Sequence, residues 1–415
     1  MNIVIYACVD FPEGPATTSR IKMLSKILVE SGHNVSLAIF NANAKQPIAA
    51  NQRTSGIFDS IDFVYLNGKT YRPATFLGAL GDTLKGIIKS AQYLNERLKT
   101  GRVDAVVFYT PDLPRILPCL LRLKMCRIPM ILELCELFSV DRRKGGSKEN
   151  FKRLIAQISD KVLPAISSGV IVISKCISEH LKLRGIDEAK IYRLPILVDY
   201  QRFARNPVTP VGLLSGKRYF LNSGALDEKE GTEFLLEAFV RVSRTHRDIY
   251  LVFTGNPSEK RKEYIVEYAN KTQIADKLVF TGFLTTEQLS WVYRNAVCLL
   301  CCRTNTLFSN FGFPTKLAEY LCSGRPVIVT NVGDYALYLK DKQNAFVAVA
   351  ESSQSIADSM EAILANPDSA TQIGLEGQKV AQKEFDYKNF VQSLDNFVRT
   401  AAKCQSHDSI GFQRD

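Results

Sequence analysis

Residues 309–330 read SNFGFPTKLAEYLCSGRPVIVT, and this stretch predicts a loop, a short helix and a buried strand in that order. Gly312 lets a backbone approach a ligand closely, and Pro314 suits the first turn of a helix. Gly324 suits the end of that helix, and Pro326 opens an apolar strand. Backbone N–H groups and the positive end of the helix dipole then point toward one place, which favours binding of an anion such as a diphosphate.

Two charged residues accompany this predicted anion site. Lys316 and Glu319 are three positions apart, so both lie on one face of the predicted helix. A cation beside an anion site, together with a carboxylate that can accept hydrogen bonds from hydroxyl groups, indicates a nucleotide.

Length and composition are those of a globular protein with more than one domain. The chain has 415 residues, of which 46% are hydrophobic and 23% charged, and a prior of about 150 residues per domain gives two or three domains. We expect no membrane span and no signal peptide, hence a cytoplasmic protein.

The ten cysteines lie mostly in apolar runs, which favours reduced, buried thiols. We read the Cys298–Cys301 pair as part of a strand rather than a zinc site.

Strands and helices alternate along both halves of the chain. The first apolar strand begins at Asn2, and the loop after it contains Gly14 but lacks the GxGxxG pattern of a dinucleotide site, which argues against hydride transfer. Alternation of this kind predicts parallel sheets covered on both faces, that is, two doubly wound α/β domains facing each other across a ligand-binding cleft. We place them at 1–205 and 206–385, followed by a crossover helix at 386–404 and a disordered tail at 405–415.

The formal net charge of +11 calls for an anionic partner. Two basic, partly apolar stretches lie in the first half, Arg115 to Arg127 and Arg142 to Lys161. They favour docking on an anionic membrane surface, although a solvated helix face is the ordinary alternative. No nucleic-acid-binding motif is present, so we expect no nucleic acid partner.

Several short motifs, in a consistent order, resemble one enzyme family. They are SGVIVISK from Ser168, LPILVDYQRF from Leu194, NSGAL from Asn222, FTG from Phe253, FTGF from Phe280, and GFPTKLAEY with GRPVI from Gly312. Together they are similar to the GT-B glycosyltransferases, specifically the retaining glycosyltransferase family four. The resemblance covers nearly the whole chain.

This resemblance implies transfer of a sugar, with retained anomeric configuration, from a nucleoside diphosphate sugar to a carbohydrate or lipid-linked acceptor in polysaccharide or glycolipid synthesis. The donor would bind the C-terminal domain, the acceptor the N-terminal domain, and the last helix would cross back to the first domain. Glu319 matches the glutamate that holds the ribose hydroxyls. The donor-binding residues that we predict are Gly14, Gly224, Lys229, Asn310, Phe311, Gly312, Phe313 and Glu319.

The chain also departs from the family pattern. A second glutamate is common eight residues before the one at Glu319, where this chain has Phe311. An arginine and a lysine are common in the loop after the first C-terminal strand, where this chain has Ala225 and Glu230, with Lys229 displaced by one position. We therefore predict that Lys316 and Arg303 replace the missing cations at the diphosphate.

Loss of a diphosphate requires fixed cations and N–H donors more than a nucleophile. No DxD-type carboxylate pair is present, so we predict a reaction that needs neither metal nor another cofactor. Glu136, and less so Glu133, follow an apolar strand and could orient the acceptor hydroxyl or accept its proton. Ordinary capping or surface roles remain open for both.

Two other interpretations of the same pattern remain. A nucleotide-sugar epimerase shares this fold and would act without an acceptor. A catalytically inactive binding protein would be consistent with Phe311, Ala225 and Glu230. A sugar phosphorylase is disfavoured because nothing in the sequence singles out a lysine for pyridoxal phosphate.

Overall fold

The computed structural model describes residues 1–48, 50–137, 147–204, 209–224 and 226–407. It divides into two compact units, one formed by Met1–Leu197 with Tyr387–Asp415 and the other by Val198–Asp386. The limit lies earlier than the 205/206 limit expected from the proline-rich segment. Val198 already belongs to the second unit because its N–H donates to the carbonyl of Phe385 at 2.9 Å and it pairs with Asp386.

In the first unit, the described residues form an eight-stranded sheet in the order β3-β4-β2-β1-β5-β6-β7-β8. Its pairs are parallel except for β3 and β4, which are antiparallel at one edge. The elements are β1 (Asn2–Ala7), α1 (Ala16–Glu30), β2 (Asn34–Ile39), β3 (Ser55–Phe58), β4 (Ile61–Tyr65), α2 (Phe76–Lys99), β5 (Ala105–Tyr109), α3 (Leu113–Cys126), β6 (Met130–Leu134), α4 (Ser147–Ile166), β7 (Gly169–Val172), α5 (Lys175–Leu183) and β8 (Ile191–Arg193).

The central strands of this sheet are apolar because both of their faces are covered. Every residue of β6 and β7 is buried, and α1 contributes Ile21, Leu24 and Ile27 to the same core. A run of buried β-branched and leucine side chains is typical of parallel strands between two helical layers. The edge strand β3 escaped prediction because its four residues, SGIF, are half exposed and carry no clear alternation.

The end of the chain returns to the first unit as α15 (Val391–His407). This helix packs on α1, and Asp395 Oδ1 lies 2.7 Å from His33 Nε2. Tyr387, just before the helix, donates to Glu30 at 2.6 Å. The helix extends beyond the expected limit at 404, so residues 405–407 are helical rather than part of a disordered tail, and 408–415 lie outside the described residues.

In the second unit, the described strands form a parallel sheet in the order β11-β10-β9-β12-β13-β14. Its elements are α6 (Tyr200–Ala204), β9 (Arg218–Ser223), α7 (Thr232–Thr245), β10 (Ile249–Thr254), α8 (Glu259–Lys271), β11 (Leu278–Gly282), α9 (Thr286–Asn295), β12 (Cys298–Cys301), α10 (Leu307–Phe311), α11 (Lys316–Cys322), β13 (Val327–Thr330), α12 (Tyr335–Tyr338), β14 (Phe346–Ala348), α13 (Ser353–Ala365) and α14 (Pro367–Val380).

The stretch 309–330 folds as a loop, helix and strand, as predicted, with the short helix α10 added before it. Cys298 and Cys301 both lie in the buried strand β12. Being three residues apart on a strand, they point to opposite faces of the sheet, which confirms their interpretation as strand residues. Among all the helices described in both units, none is long and apolar enough to cross a bilayer.

Candidate functional site

The second unit has its candidate site where the strand order reverses. β9 lies between β10 and β12, so the chain leaves it on one side to build β10 and β11 and later returns on its other side. Open α/β sheets bind ligands outside the carboxyl ends of the strands at such a point. The loops after β9 and β12 pack closely here, because a Cβ at Gly231 would lie 2.3 Å from the carbonyl oxygen of Cys302.

Lys316 reaches this point from the first position of α11. Its Nζ donates to Glu230 Oε2 at 2.5 Å, to the carbonyl of Ser223 at 2.9 Å and to Asn222 Oδ1 at 3.1 Å. The side chain is only 13% exposed. Burial lowers the pKa of Lys316, but the charge of Glu230, its hydrogen bond and the neighbouring Cys301 together raise that pKa above its ordinary value. A permanently charged ammonium therefore lies at the carboxyl end of β9.

Glu230 is the carboxylate that holds this ammonium. It ends a single helical turn formed by Glu228–Glu230, and it is buried. Burial by itself would raise the pKa of Glu230, but the charges of Lys316 and Arg303 lower it to about 2. Glu230 is consequently ionised at any physiological pH.

Arg303, predicted as a cation for the diphosphate, lies after β12 and is 4% exposed. Its Nη1 donates to the carbonyls of Ser309 and Gly312, at 3.0 and 3.2 Å. These bonds tie the guanidinium to the loop that precedes α11, so the contacts favour a role in holding that loop. Direct contact of Arg303 with a diphosphate stays a prediction.

Two glycines of the predicted donor-binding residues, Gly224 and Gly312, differ in the structural reason for a glycine. Gly224, directly after β9, has a φ of +126°, a conformation that L side chains rarely adopt. Gly312 has a φ of −85°, and a Cβ there would make only ordinary contacts, the nearest being Arg303 Nη1 at 3.5 Å. Neither strain nor packing explains Gly312, which is consistent with the close approach of a ligand.

Four other predicted donor residues lie around the loop. Asn310 is held by the loop itself, since its Nδ2 donates to Asn305 Oδ1 at 2.8 Å and its Oδ1 accepts from the N–H of Gly333 at 2.7 Å. Phe311 and Phe313 are buried, and Phe313 stacks on Tyr338. Lys229 lies over the ring of Phe308, with Nζ 5.1 Å from the ring centroid. Ala225 lies outside the described residues.

Glu319 lies one turn further along α11. Tyr293 donates a long hydrogen bond of 3.5 Å to its Oε2. Burial raises the pKa of Glu319 to about 7, although the bond from Tyr293 acts in the opposite direction. The carboxyl group therefore changes its charge near neutral pH.

The site residues expected in the first unit lie at the carboxyl ends of its strands. Gly14 belongs to the loop after β1, where a Cβ would lie 2.3 Å from Thr18 Oγ1, so packing alone requires a glycine. Glu136 follows β6 and is partly buried. Glu133 is inaccessible within β6 and pairs with Arg20, whose Nη2 lies 2.7 Å from Glu133 Oε1. A structural role for Glu133 is the simpler interpretation.

Sequence reasoning missed two charged pairs, Arg20 with Glu133 and Lys316 with Glu230. Arg20 had a detectable signal, because it occupies the same helical face as the buried Met23, Leu24 and Ile27, and a cation at a core position needs a buried partner. Arg20 also donates to the carbonyls of Leu194 and Pro195. Glu230 was noted only as a departure from a family pattern.

Comparison with known proteins identifies a family that this chain resembles. Residues 209–380 match the family model described as glycosyl transferases group 1. The resemblance to the group 1 glycosyltransferases is confirmed. The matched segment contains the candidate site of the second unit described above, from Asn222 to Glu319.

Solved structures show the same fold over nearly the full length of this chain. Sucrose-phosphate synthase from Thermosynechococcus elongatus has a TM-score of 0.74 at 16% identity and covers 96% of this chain and 98% of its own. HepE of Anabaena, in complex with UDP-glucose, has a TM-score of 0.70 at 13% identity and covers 96% and 99%. These likenesses establish a GT-B fold built from two α/β domains.

A curated relative is similar in sequence over a shorter stretch. The alpha-1,3/1,6-mannosyltransferase ALG2 of Dictyostelium discoideum is 25% identical over 214 residues, which is 48% of this chain and 49% of that protein. The chain thus aligns with about half the length of the curated relatives it matches.

Proposed function

We propose that this protein is a retaining glycosyltransferase that transfers a sugar from a nucleoside diphosphate sugar to a carbohydrate or lipid-linked acceptor in polysaccharide or glycolipid synthesis. The observation that carries the proposal is the buried, charged Lys316 at the carboxyl end of β9, beside a loop whose Gly312 is required by neither strain nor packing. The UDP-glucose complex of HepE and the activity named for ALG2 support it.

In the proposed reaction the donor diphosphate lies at the carboxyl end of β9, where the strand order of the second unit reverses. Breaking the bond between sugar and diphosphate puts negative charge on the leaving oxygens, and a fixed ammonium in a partly dry site stabilises that charge. Lys316 supplies the ammonium, and the loop before α11 supplies backbone N–H groups. Asn222 Nδ2, a buried donor beside Lys316, has no hydrogen-bond partner among the described residues, as expected where a polar ligand belongs.

Glu319 is proposed to accept hydrogen bonds from the ribose hydroxyls. Because the pKa of Glu319 is about 7, the stronger acceptor, the ionised carboxylate, is lost as the pH falls through neutrality. We expect the affinity for a nucleotide sugar to fall about fivefold to tenfold between about pH 8 and about pH 6. Each phosphate of a nucleoside diphosphate sugar is bonded through two bridging oxygens and keeps a single negative charge, so the charge of the ligand stays constant over this interval.

Isothermal titration at the two pH values measures this effect. In Glu319→Gln the group no longer titrates, so the affinity should be weaker than in the wild type at the higher pH and nearly independent of pH. An equal pH dependence in the wild type and Glu319→Gln would contradict the assignment of Glu319.

The function as a whole is tested by a thermal-shift screen against the sugar esters of UDP, GDP, ADP, CMP and dTDP, with and without a chelator. The best ligand is then incubated with a lipid extract and the products are analysed by mass spectrometry. We expect one ester to stabilise the protein and a new glycoside to form in chelator as well as without it. Conversion of the donor without acceptor would favour an epimerase, and absence of nucleotide binding would favour an inactive binding protein.

The acceptor side is proposed to work at an anionic membrane surface. In the first unit α3 packs against both α2 and α4, and all three helices expose large apolar side chains. The exposed residues, between 44% and 76% accessible, are Phe76, Leu77, Leu80, Leu84 and Ile88 in α2, Leu117, Leu121 and Met125 in α3, and Phe151, Leu154 and Ile158 in α4.

Basic side chains border these apolar rows. Lys89, Lys124 and Lys152 are exposed, one on each helix, whereas Arg142, Arg143 and Lys144 of the predicted basic stretch lie outside the described residues. Apolar side chains that enter the headgroup region and cations that attract anionic lipids are the two parts of an interfacial anchor. The cytoplasmic leaflet carries the anionic lipids, so we propose peripheral docking on that face.

Membrane docking is tested by sedimentation with liposomes that contain phosphatidylserine. We expect the wild-type protein to sediment with them at low salt and less at high salt, since each basic side chain contributes about 1 kcal/mol that salt screens. The combined substitution Leu80→Ser, Leu84→Ser and Leu121→Ser should abolish most of the binding without unfolding the protein, because all three side chains are exposed.

Val349→Ser is the matched control, since Val349 is an equally exposed apolar residue of the second unit. Its binding should equal that of the wild type. Wild-type protein that stays in the supernatant at low salt would contradict membrane docking and leave the transfer reaction to be judged by the ligand screen.

A further inference from the structure

The ammonium of Lys316 has no hydrogen-bonding capacity left. A lysine ammonium has three N–H donors, and here they go to Glu230 Oε2, the carbonyl of Ser223 and Asn222 Oδ1. A phosphate oxygen that binds Lys316 must therefore displace one of these acceptors. The neutral Asn222 Oδ1, at 3.1 Å, is the weakest of the three, whereas the carboxylate of Glu230 is the strongest.

Glu230 also lies close to the second cation of the site. Its Oε1 is 3.9 Å from Arg303 Nε, and the Glu230 side chain is 11% exposed, so solvent screens its charge little. Formally, one negative charge lies between two positive ones. A diphosphate bound to Lys316 would therefore lie beside the carboxylate of Glu230, which binds the same ammonium and repels the diphosphate.

The repulsion differs between substrate and product. In a nucleoside diphosphate sugar each phosphate is bonded through two bridging oxygens and carries one negative charge, whereas the released nucleoside diphosphate ends in a phosphate with a single bridging oxygen, whose second ionisation has a pKa of about 6. Near neutral pH the product therefore carries roughly one more negative charge than the donor. A fixed carboxylate at the site penalises the product more than the donor.

We propose that Glu230 sets the relative affinity of the site for donor and product, weakening the hold on the nucleoside diphosphate and so promoting its release. The inference rests on the proposed function, since it requires the diphosphate to lie beside Lys316. Product release limits the turnover of many enzymes. A carboxylate that stays ionised and is held by the same lysine that binds the leaving group acts at that step.

Glu230→Gln tests the inference because it keeps an acceptor for Lys316 and removes the charge. Isothermal titration is performed with UDP, GDP and ADP and with the glucose ester of each. For the base that binds, we expect the affinity for the nucleoside diphosphate to rise about tenfold and that for its glucose ester about threefold. The ratio of product to donor affinity thus increases in the variant.

Two further variants make the result specific. Glu228→Gln removes the same charge from an exposed position two residues earlier in the same turn, and its affinity ratio should equal that of the wild type. Glu230→Asp retains the charge and should keep the ratio near that of the wild type even if a shorter side chain changes both affinities. Circular dichroism confirms that each variant is folded before titration.

The outcomes separate the inference from the function beneath it. If Glu230→Gln binds product and donor with the wild-type ratio, or binds both more weakly, Glu230 is a residue that merely positions Lys316 and the inference is overturned. If no nucleoside diphosphate binds the wild-type protein, the proposed function and the inference fall together. If the wild type binds a nucleoside diphosphate and Lys316→Ala binds it more weakly, the diphosphate lies beside Lys316. The ratio of product to donor affinity in Glu230→Gln then supports or overturns the inference.

Discussion

Replacing Lys316 with alanine is expected to lower kcat/KM for the donor by about a hundredfold to a thousandfold. Its ammonium is the charged donor at the carboxyl end of β9, and loss of such a donor removes stabilisation that is greatest when the diphosphate leaves. Steady-state kinetics with the donor selected by the ligand screen measure the effect. Wild-type turnover by Lys316→Ala would refute the role of Lys316 at the diphosphate.

A loss of activity could also arise from misfolding, because Lys316→Ala leaves the buried Glu230 without its closest cation. The double variant Lys316→Ala with Glu230→Ala removes both charges and should restore the unfolding temperature without restoring turnover. Lys271→Ala is the control for removal of a lysine, since Lys271 is 72% exposed on α8 and pairs with Glu267 at the surface. It should retain full activity.

Replacing Arg20 with methionine is expected to lower the free energy of unfolding by about 3–5 kcal/mol. The Arg20 side chain is 1% exposed and that of Glu133 is inaccessible, so the substitution leaves a carboxylate buried without its partner. Arg20 also holds the carbonyls of Leu194 and Pro195, which lose their donors. Urea denaturation followed by far-ultraviolet circular dichroism measures the change.

Companion substitutions distinguish loss of the buried Arg20–Glu133 ion pair from non-specific destabilisation. Arg20→Met combined with Glu133→Leu should recover a large part of the loss, because no buried charge remains. Arg241→Met, which breaks an exposed pair with Glu237 in the second unit, should cost no more than about 1 kcal/mol. Trp291, the single tryptophan of the chain, lies in α9, so its fluorescence follows the second unit independently. If Arg20→Met lowered the free energy of unfolding by less than Arg241→Met does, the penalty assigned to the buried, unpaired carboxylate would be contradicted.

The sequence predicted most of the helices and strands because their signals are local. Buried parallel strands are short apolar runs, and their flanking helices carry apolar residues at helical spacing. The stretch 309–330 was predicted as loop, helix and strand for the same reason. The elements that were missed are three to five residues long, too short for a periodic signal: β3, β4, β8, α6, α10 and α12.

The sequence predicted where the candidate site lies, but it did not predict most of the contacts that its side chains make. Lys316 and Glu319 lie where the helical spacing placed them. Arg303, by contrast, donates to two loop carbonyls, and Phe311 and Phe313 are buried rather than exposed at the loop. Spacing along a helix or strand says which residues share a face, but it does not say which partner each side chain meets.

The sequence by itself therefore determined the two α/β domains, the family resemblance and the position of the anion-binding stretch, all of which follow from local patterns and motif order. Only the tertiary structure decided that Lys316 pairs with Glu230, 86 residues away, and that Arg20 pairs with Glu133, 113 residues away. Such pairs form because folding brings distant segments together in a medium where an unpaired charge is costly. Local periodicity carries no information about that choice of partner.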